Sequence, residues 1–355
     1  MKFKLPFALF LLGLSACGPA ESPKSSDATS SVLFLGDTHF GESYHVELDD
    51  RYTMDQFSAL LDGVDLTIAN LETPLTTLTE SPYESEKDYV HWSDPELATD
   101  AFEKYGFDAF SLGNNHSMDF GEEGLKETLD AGGAFEFFGA GENLDEASQI
   151  FESAVTLPTG SDFELVVLGG FEEVSSYEAM GFYATESEPG VNPLTESTLE
   201  SIRSIKQENP SVFVVVFPHW GSNYKMKNSD QEEWAHAFVD AGADLVLGHG
   251  AHLFQEVEMY EGKTIVYGLG NFIFKAQGRY QKLGVDAYSV AARLMVDSDG
   301  KVLRLYPLFC DNLVTDYTTR FVSEDEFEDL SEREDLKGLA TSEDEIGFYF
   351  EIPLE

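Results

Sequence analysis

Residues 109–121 read Ala109-Phe110-Ser111-Leu112-Gly113-Asn114-Asn115-His116-Ser117-Met118-Asp119-Phe120-Gly121. A short apolar run, too brief for a helix, passes directly into a polar cluster containing glycine, asparagine and histidine. The same pattern recurs on both sides. The runs Val32-Leu35, Leu66-Ala69, Leu165-Leu168, Val212-Phe217, Leu245-Leu247 and Thr264-Tyr267 are followed by Gly, Asn or Pro, and nearly every one passes directly into a Gly, Asn, Asp or His cluster. Helical spacings lie between several of them. Phe57, Leu60 and Leu61 follow Asp55, Glu122 to Ala131 ends at Gly132-Gly133, and Glu232 to Ala241 ends at Gly242. Continuous apolar strands alternating with helices predict an α/β fold whose sheets are covered on both sides. In such sheets ligands bind at the carboxyl ends of the strands, which is where the polar clusters fall.

Five of the eight histidines sit in these clusters: His39 in Gly36-Asp37-Thr38-His39, then His116, His219, His249 and His252. Glu72 ends the cluster Asn70-Leu71-Glu72. Imidazole combined with carboxylate suits zinc, manganese or iron, whereas an all-oxygen set would suit calcium or magnesium. Taken singly, each cluster could be a strand cap or a turn; their recurrence in this order points to a metal site. His45, His91 and His236 lack such a setting and read as surface or loop residues.

Composition narrows the class. Asp plus Glu number 66 against 21 Lys plus Arg, a formal charge of −45. That excludes a nucleic-acid backbone as partner and suits a solvated surface in high salt. Two cysteines exclude a disulfide-built scaffold. Lys2 and Lys4 precede the apolar run Leu5–Leu14, which fits a signal-peptide core rather than a membrane span. Leu14-Ser15-Ala16-Cys17 resembles a bacterial lipobox. The expected organisation is a signal peptide over 1–16, lipid-bearing Cys17 opening a flexible tether over 17–31, a catalytic-type domain over 32–308 and an acidic appendage over 309–355 closed by an edge strand at Phe348-Tyr349-Phe350. The expected location is the cell envelope, as an outer-membrane lipoprotein facing the periplasm or the surface, with the lipid as sole membrane contact.

The order D-x-H, acidic strand end, N-H, lone His and G-H-x-x-H is similar to the calcineurin-like metallophosphoesterases. More closely, Ala69-Asn70-Leu71-Glu72-Thr73-Pro74, Leu112 to Gly121, His219-Trp220-Gly221, Ala241 to His249 and Gly268-Leu269-Gly270-Asn271-Phe272 resemble the CapA-type poly-γ-glutamate capsule biosynthesis proteins of that superfamily. The resemblance implies an α/β-β-α sandwich holding two divalent ions (manganese, zinc or iron). It implies Asp37, His39, Glu72 and His252 on one ion, and Glu72, Asn115, His219 and His249 on the other, with Glu72 bridging and His116 as catalytic proton donor or oxyanion stabiliser. Two residues separate His249 from His252 where the wider superfamily has one, and the bridge is Glu rather than Asp.

Lys225 and Lys227 follow the His219 cluster, and Lys275, Arg279 and Lys282 follow Asn271. On so acidic a chain these cations suggest a lip that steers an anionic substrate. Two functions stay open: a metal-dependent hydrolase of a phosphoester or an anionic cell-surface polymer, and a non-hydrolytic poly-γ-glutamate capsule assembly or export factor.

Overall fold

The computed structural model describes residues 29–39, 54–133, 135–274, 278–315 and 319–355. Cys17, tether residues 18–28, His45 and Lys275 lie outside them, whereas Ser30 and Ser31, expected at the end of the tether, already pair as the start of the first strand. Two sheets pack face to face. In the larger sheet, Ser30–Thr38, Leu66–Leu71, Ala109–Ser111 and Glu136–Phe138 run parallel, and Asn271–Ile273 joins the end of Ser30–Thr38. On the other flank Tyr288–Val296, Lys301–Phe309, Phe348–Leu354 and Ala340–Glu343 continue it in antiparallel fashion. The smaller sheet has the order Val257–Tyr260, Lys263–Val266, Leu245–Leu247, Phe213–His219, Asp162–Phe171, Phe151–Thr156.

Strand periodicity sorts the side chains into layers. Val32 and Phe34 point into the space between the sheets, where they meet Val167, Val215 and Leu247. Leu33 and Leu35 point the other way, into a cluster with Ala98 and Phe102 of helix Pro95–Tyr105 and Leu125 of helix Gly121–Asp130. The outer face of the smaller sheet is covered in the same way. Val214, Val216 and Val246 lie under Leu199 and Ile202 of helix Glu196–Glu208 and Phe238 of helix Ser229–Ala241. The result is the expected α/β-β-α sandwich. Helix Ser229–Ala241 stops at left-handed Gly242, as the sequence predicts, and starts on an Asn228 capping box three residues before the expected Glu232.

The C-terminal stretch differs from the expectation. Phe348–Leu354 is hydrogen-bonded between Lys301–Phe309 and Ala340–Glu343, so it is an inner strand and Ala340–Glu343 is the edge. Phe350 and Ile352 enter the central core together with Phe327 and Leu330 of the acidic helix Glu324–Ser331. The acidic density of 323–335 conceals a helix with one apolar face, and that face covers the sheet. Among the described residues no helix is long and apolar enough to cross a membrane.

Candidate metal centre

The carboxyl ends of both sheets' parallel strands converge. Ser30–Thr38 delivers Asp37 through a register shift, with Gly36 so close to the opposite loop that a Cβ would stand 1.9 Å from the Gly270 carbonyl oxygen. Asp37 is fully buried and held from three sides. Asn70 Nδ2 donates to Oδ1 at 2.9 Å, the Gly250 amide donates at 3.1 Å, and His252 Nδ1 stands 3.1 Å from Oδ2. Burial raises its pKa, but His252, His249 and His219 outweigh burial and bring it down to about 2. Gly250 is at φ +99°, and a Cβ there would press on the His219 ring at 2.7 Å.

Glu72 follows Leu66–Leu71 and is also fully buried. Its Oε1 lies 3.9 Å from His116 Nε2, 4.0 Å from His219 Nε2 and 3.8 Å from His252 Nε2, yet accepts no hydrogen bond. Burial, with the charge of Asp37, pushes Glu72 well above the ordinary carboxylate range. His219 ends Phe213–His219 and stands with Nδ1 3.0 Å from His249 Nδ1. The Phe217 carbonyl accepts from His249 Nε2 at 3.2 Å, which leaves His249 Nδ1 facing the site. Burial lowers His116 and His219 well below the ordinary imidazole range and His249 to about 4. His252 adopts φ +58°, rare for a residue with a side chain, and its ring is fixed by Asn271 Oδ1 at 2.8 Å.

These donors fit a metal. Asp37, His219 and His249 form one group with ligand atoms within 4.8 Å of one another; Asp37, Glu72 and His252 form a second. The two groups share Asp37, because it lies between His249 and His252, whereas the resemblance makes Glu72 common to both ions. His39 stands outside both groups. The decisive fit is chemical. Glu72 Oε1 and Asn115 Oδ1 are buried acceptors with no hydrogen-bond partner, an arrangement that costs about 1–3 kcal/mol per group unless a cation meets it.

Around this set the structure adds residues the motifs did not single out. Asn114 Nδ2 donates to Asn70 Oδ1 at 3.0 Å and to the Leu71 carbonyl, while its Oδ1 accepts from the His116 and Ser117 amides. It thus ties the N-N-H turn to the strand Leu66–Leu71, whose Asn70 in turn holds Asp37. Asp119 is fully buried and accepts from His116 Nδ1 at 2.7 Å, from the His91 amide at 2.6 Å and from the Lys87 ammonium. Lys87 also reaches the Asn115 carbonyl at 2.6 Å and lies over the Tyr177 and Phe182 rings. Burial lowers its pKa and raises that of Asp119 to about 6, against the pull of the Lys87 charge. His91, expected as a surface or loop residue without a role at the site, lies on irregular backbone but packs between His39, edge-on, and His116, tilted, with ring centroids 4.2 and 4.1 Å away. His236 lies on helix Ser229–Ala241, stacked on Tyr260 at 3.7 Å and 3.0 Å from Glu258 Oε1, remote from the cluster in its contacts.

The cationic lip is smaller than expected. Lys227 is ion-paired with Glu232 and lies over Tyr267, so it joins the helix cap rather than the site. Lys225 and Lys282 are exposed, and Arg279 stacks over Tyr89 and Tyr224, the latter against His252 at 5.2 Å. Cys310 is buried, donating to Tyr280 Oη, with burial pushing its thiol up to about 12.

A family model described as Bacterial capsule synthesis protein PGA_cap matches residues 31–276. The chain belongs to this family. Among PGA_cap relatives, the PGA biosynthesis protein CapA of Bacillus subtilis is 30% identical over 72% of this chain and 67% of its own length. The capsule biosynthesis protein CapA of Bacillus anthracis is 31% identical over 73% of this chain, which spans 62% of that protein. Among solved structures, the calcineurin-like phosphoesterase YfkN of Bacillus subtilis matches with 15% identity and a TM-score of 0.41, over 83% of this chain and 88% of that one. The matched span of the PGA_cap model includes Asp37, His39, Glu72, Asn115, His116, His219, His249 and His252.

Proposed function

We propose that the chain is a metal-dependent hydrolase of the cell envelope, acting on a phosphoester or an anionic surface polymer. One observation carries the reading: a buried imidazole, His116, is oriented by Asp119 on one side and faces the orphaned Glu72 Oε1 on the other. Asp37, Glu72, His219, His249 and His252, with Asn115 at the rim, are the residues that would hold two divalent ions; His39 is the outlying member. Bound there, such ions supply Lewis-acid polarisation and an activated water at neutral pH. The chain's own part is positional. Asp119 can only accept when ionised, so the His116 proton sits on Nδ1 and the Nε2 lone pair is left toward the site. From Nε2 a proton can be exchanged with an attacking or leaving oxygen. Lys225 and Arg279 attract the anionic substrate.

The second reading is a non-hydrolytic factor that binds poly-γ-glutamate during capsule assembly or export. The names of the relatives favour it. Metal analysis of the purified chain, followed by turnover assays on phosphomonoesters, phosphodiesters and poly-γ-glutamate with manganese or zinc added, separates the two. Turnover of any of these, lost on chelation, supports the hydrolase. Metal retained with polymer bound but never cleaved gives the second reading. Envelope anchoring through Cys17 is part of the proposal, and Cys17→Ala is expected to release the chain in soluble form.

A further inference from the structure

The segment between Glu72 and helix Pro95–Tyr105 carries no metal donor of the motif set, yet it returns to the site. It is pinned at its base, where the Ser93 amide donates to the Pro74 carbonyl at 2.9 Å and the Thr76 amide to the Ser93 carbonyl at 3.0 Å. From there it sends in two side chains. Lys87 goes to the back of the His116 turn, and His91 goes to the front, between the rings of His39 and His116 and against Phe274. One buried carboxylate fixes both histidines: Asp119 Oδ2 accepts from the His91 backbone and from the His116 ring. Lys87 occupies the other oxygen. The His91 backbone is thus tied to the carboxylate that orients the His116 ring, while the His91 ring is held by packing against His39, His116 and Phe274; among the described residues neither of its nitrogens is hydrogen-bonded, and the residue is only partly buried.

We infer that His91 is a second imidazole of this site, donating through its ring N–H to an oxyanion of the bound ligand beside His116, with Lys87 and Asp119 as positioning residues. The inference rests on the hydrolase reading for the identity of the site, and it names the ligand as an oxyanion, phosphoryl or carboxylate. A neutral imidazole keeps one N–H donor whichever tautomer it adopts, so the contact needs no charge. Phe274 and the flanking rings keep water off its faces and leave its edge for the ligand.

The test is calorimetric titration of the manganese-loaded full chain with orthophosphate, and in a second arm with glutarate, for wild type, His91→Ala and His91→Asn. Loss of one such hydrogen bond is expected to weaken binding of the preferred oxyanion about tenfold in His91→Ala. Metal content and melting temperature should stay those of wild type, and His91→Asn, which keeps an N–H donor, should recover part of the loss. Lys87→Met should weaken binding through both histidines, and so by more than His91→Ala alone. A preference for orthophosphate names the phosphoryl source, and a preference for glutarate the carboxylate source. Equal affinity in wild type and His91→Ala overturns the role of His91 while the hydrolase reading stands. Loss of metal from His91→Ala also overturns it, in favour of a structural role. Absence of binding by loaded wild type to either anion overturns both.

Discussion

At the carboxyl ends of the parallel strands, Glu72 buries an oxygen without pairing it; on the antiparallel flank of the same sheet, Arg304 and Arg320 are paired with carboxylates while only partly buried. Glu72 and Asp37 stand together with no exposure, and Glu72 Oε1 has no donor. On the flank, Arg304 meets Asp344 at 3.2 Å and Glu351 at 3.0 Å, and Arg320 grips Glu326 with two bonds of 2.7 and 2.8 Å. The same residue types thus do opposite things. Self-satisfied pairs contribute modest stability and ask for nothing more. Unsatisfied acceptors destabilise the empty fold and gain when a ligand arrives, which is the thermodynamic mark of a binding site.

The largest effect should come from the site. His116→Ala is expected to keep metal content at the wild-type level while kcat falls roughly 10²–10⁴-fold on the substrate the assays identify. Unchanged turnover would move the weight to the non-hydrolytic reading. On the flank the comparable change is structural. Phe350 is fully buried in the inter-sheet core, so Phe350→Ala should cost about 3–5 kcal/mol, read by urea unfolding, with metal affinity unchanged. A cost under about 1 kcal/mol would mean that the last strand is dispensable after all.

The same contrast explains what could be read from the sequence. The parallel strands are continuous apolar runs ending in Gly, Asn or His, and each run predicts both a buried strand and the place of its site residue. Asp37, Glu72, His219, His249 and His252 were legible for that reason. The antiparallel strands Tyr288–Val296 and Lys301–Phe309 carry alternating patterns broken by Arg293 and Arg304, and they went unremarked. Lys87 and His91 were not legible at all. They lie on a polar, irregular segment whose sequence looks like surface, and only the closure of that segment onto Asp119 brings them into the site. The one available signal was Asp119 itself, an acid three residues beyond His116 with no helical or capping reason to be there. Lys227 shows the converse: its charge is visible in the sequence, but among so many neighbouring carboxylates only the fold selects Glu232, five residues on, as its partner.

A smaller effect separates the metal-free protein from the loaded one. Glu72→Gln removes a buried carboxylate but keeps the side chain's size. After chelation the variant should therefore melt at a higher temperature than wild type at pH 8, by the equivalent of about 1–3 kcal/mol. With manganese added the order should reverse, because the variant has lost an anionic donor. A chelated variant that melts no higher than wild type would show that Glu72 already has a partner in the empty fold.

The smallest effect is the sharpest comparison of the two regions, because it turns on a sign. In the folded chain Arg320, with the Ser323 amide, outweighs burial and lowers the Glu326 pKa to about 2. Between about pH 4.5 and pH 2 the unfolded chain therefore holds a proton on Glu326 that the folded chain does not. Stability from this pair is full above that window and is lost as pH falls through it. Glu72 runs the other way. Its folded pKa lies well above the ordinary value, so the metal-free fold holds the proton longer than the unfolded chain does. Its contribution is full below about pH 4.5 and declines as pH rises. Two variants separate the terms in chelated protein followed by melting temperature against pH. Glu326→Gln should flatten the acid limb slightly, since the pair is partly solvated, and leave the neutral limb alone. Glu72→Gln should flatten the neutral limb and leave the acid limb alone. If both variants flatten the same limb, the division into paired and unpaired regions is wrong, and the carboxylates of this acidic chain act as one coupled field.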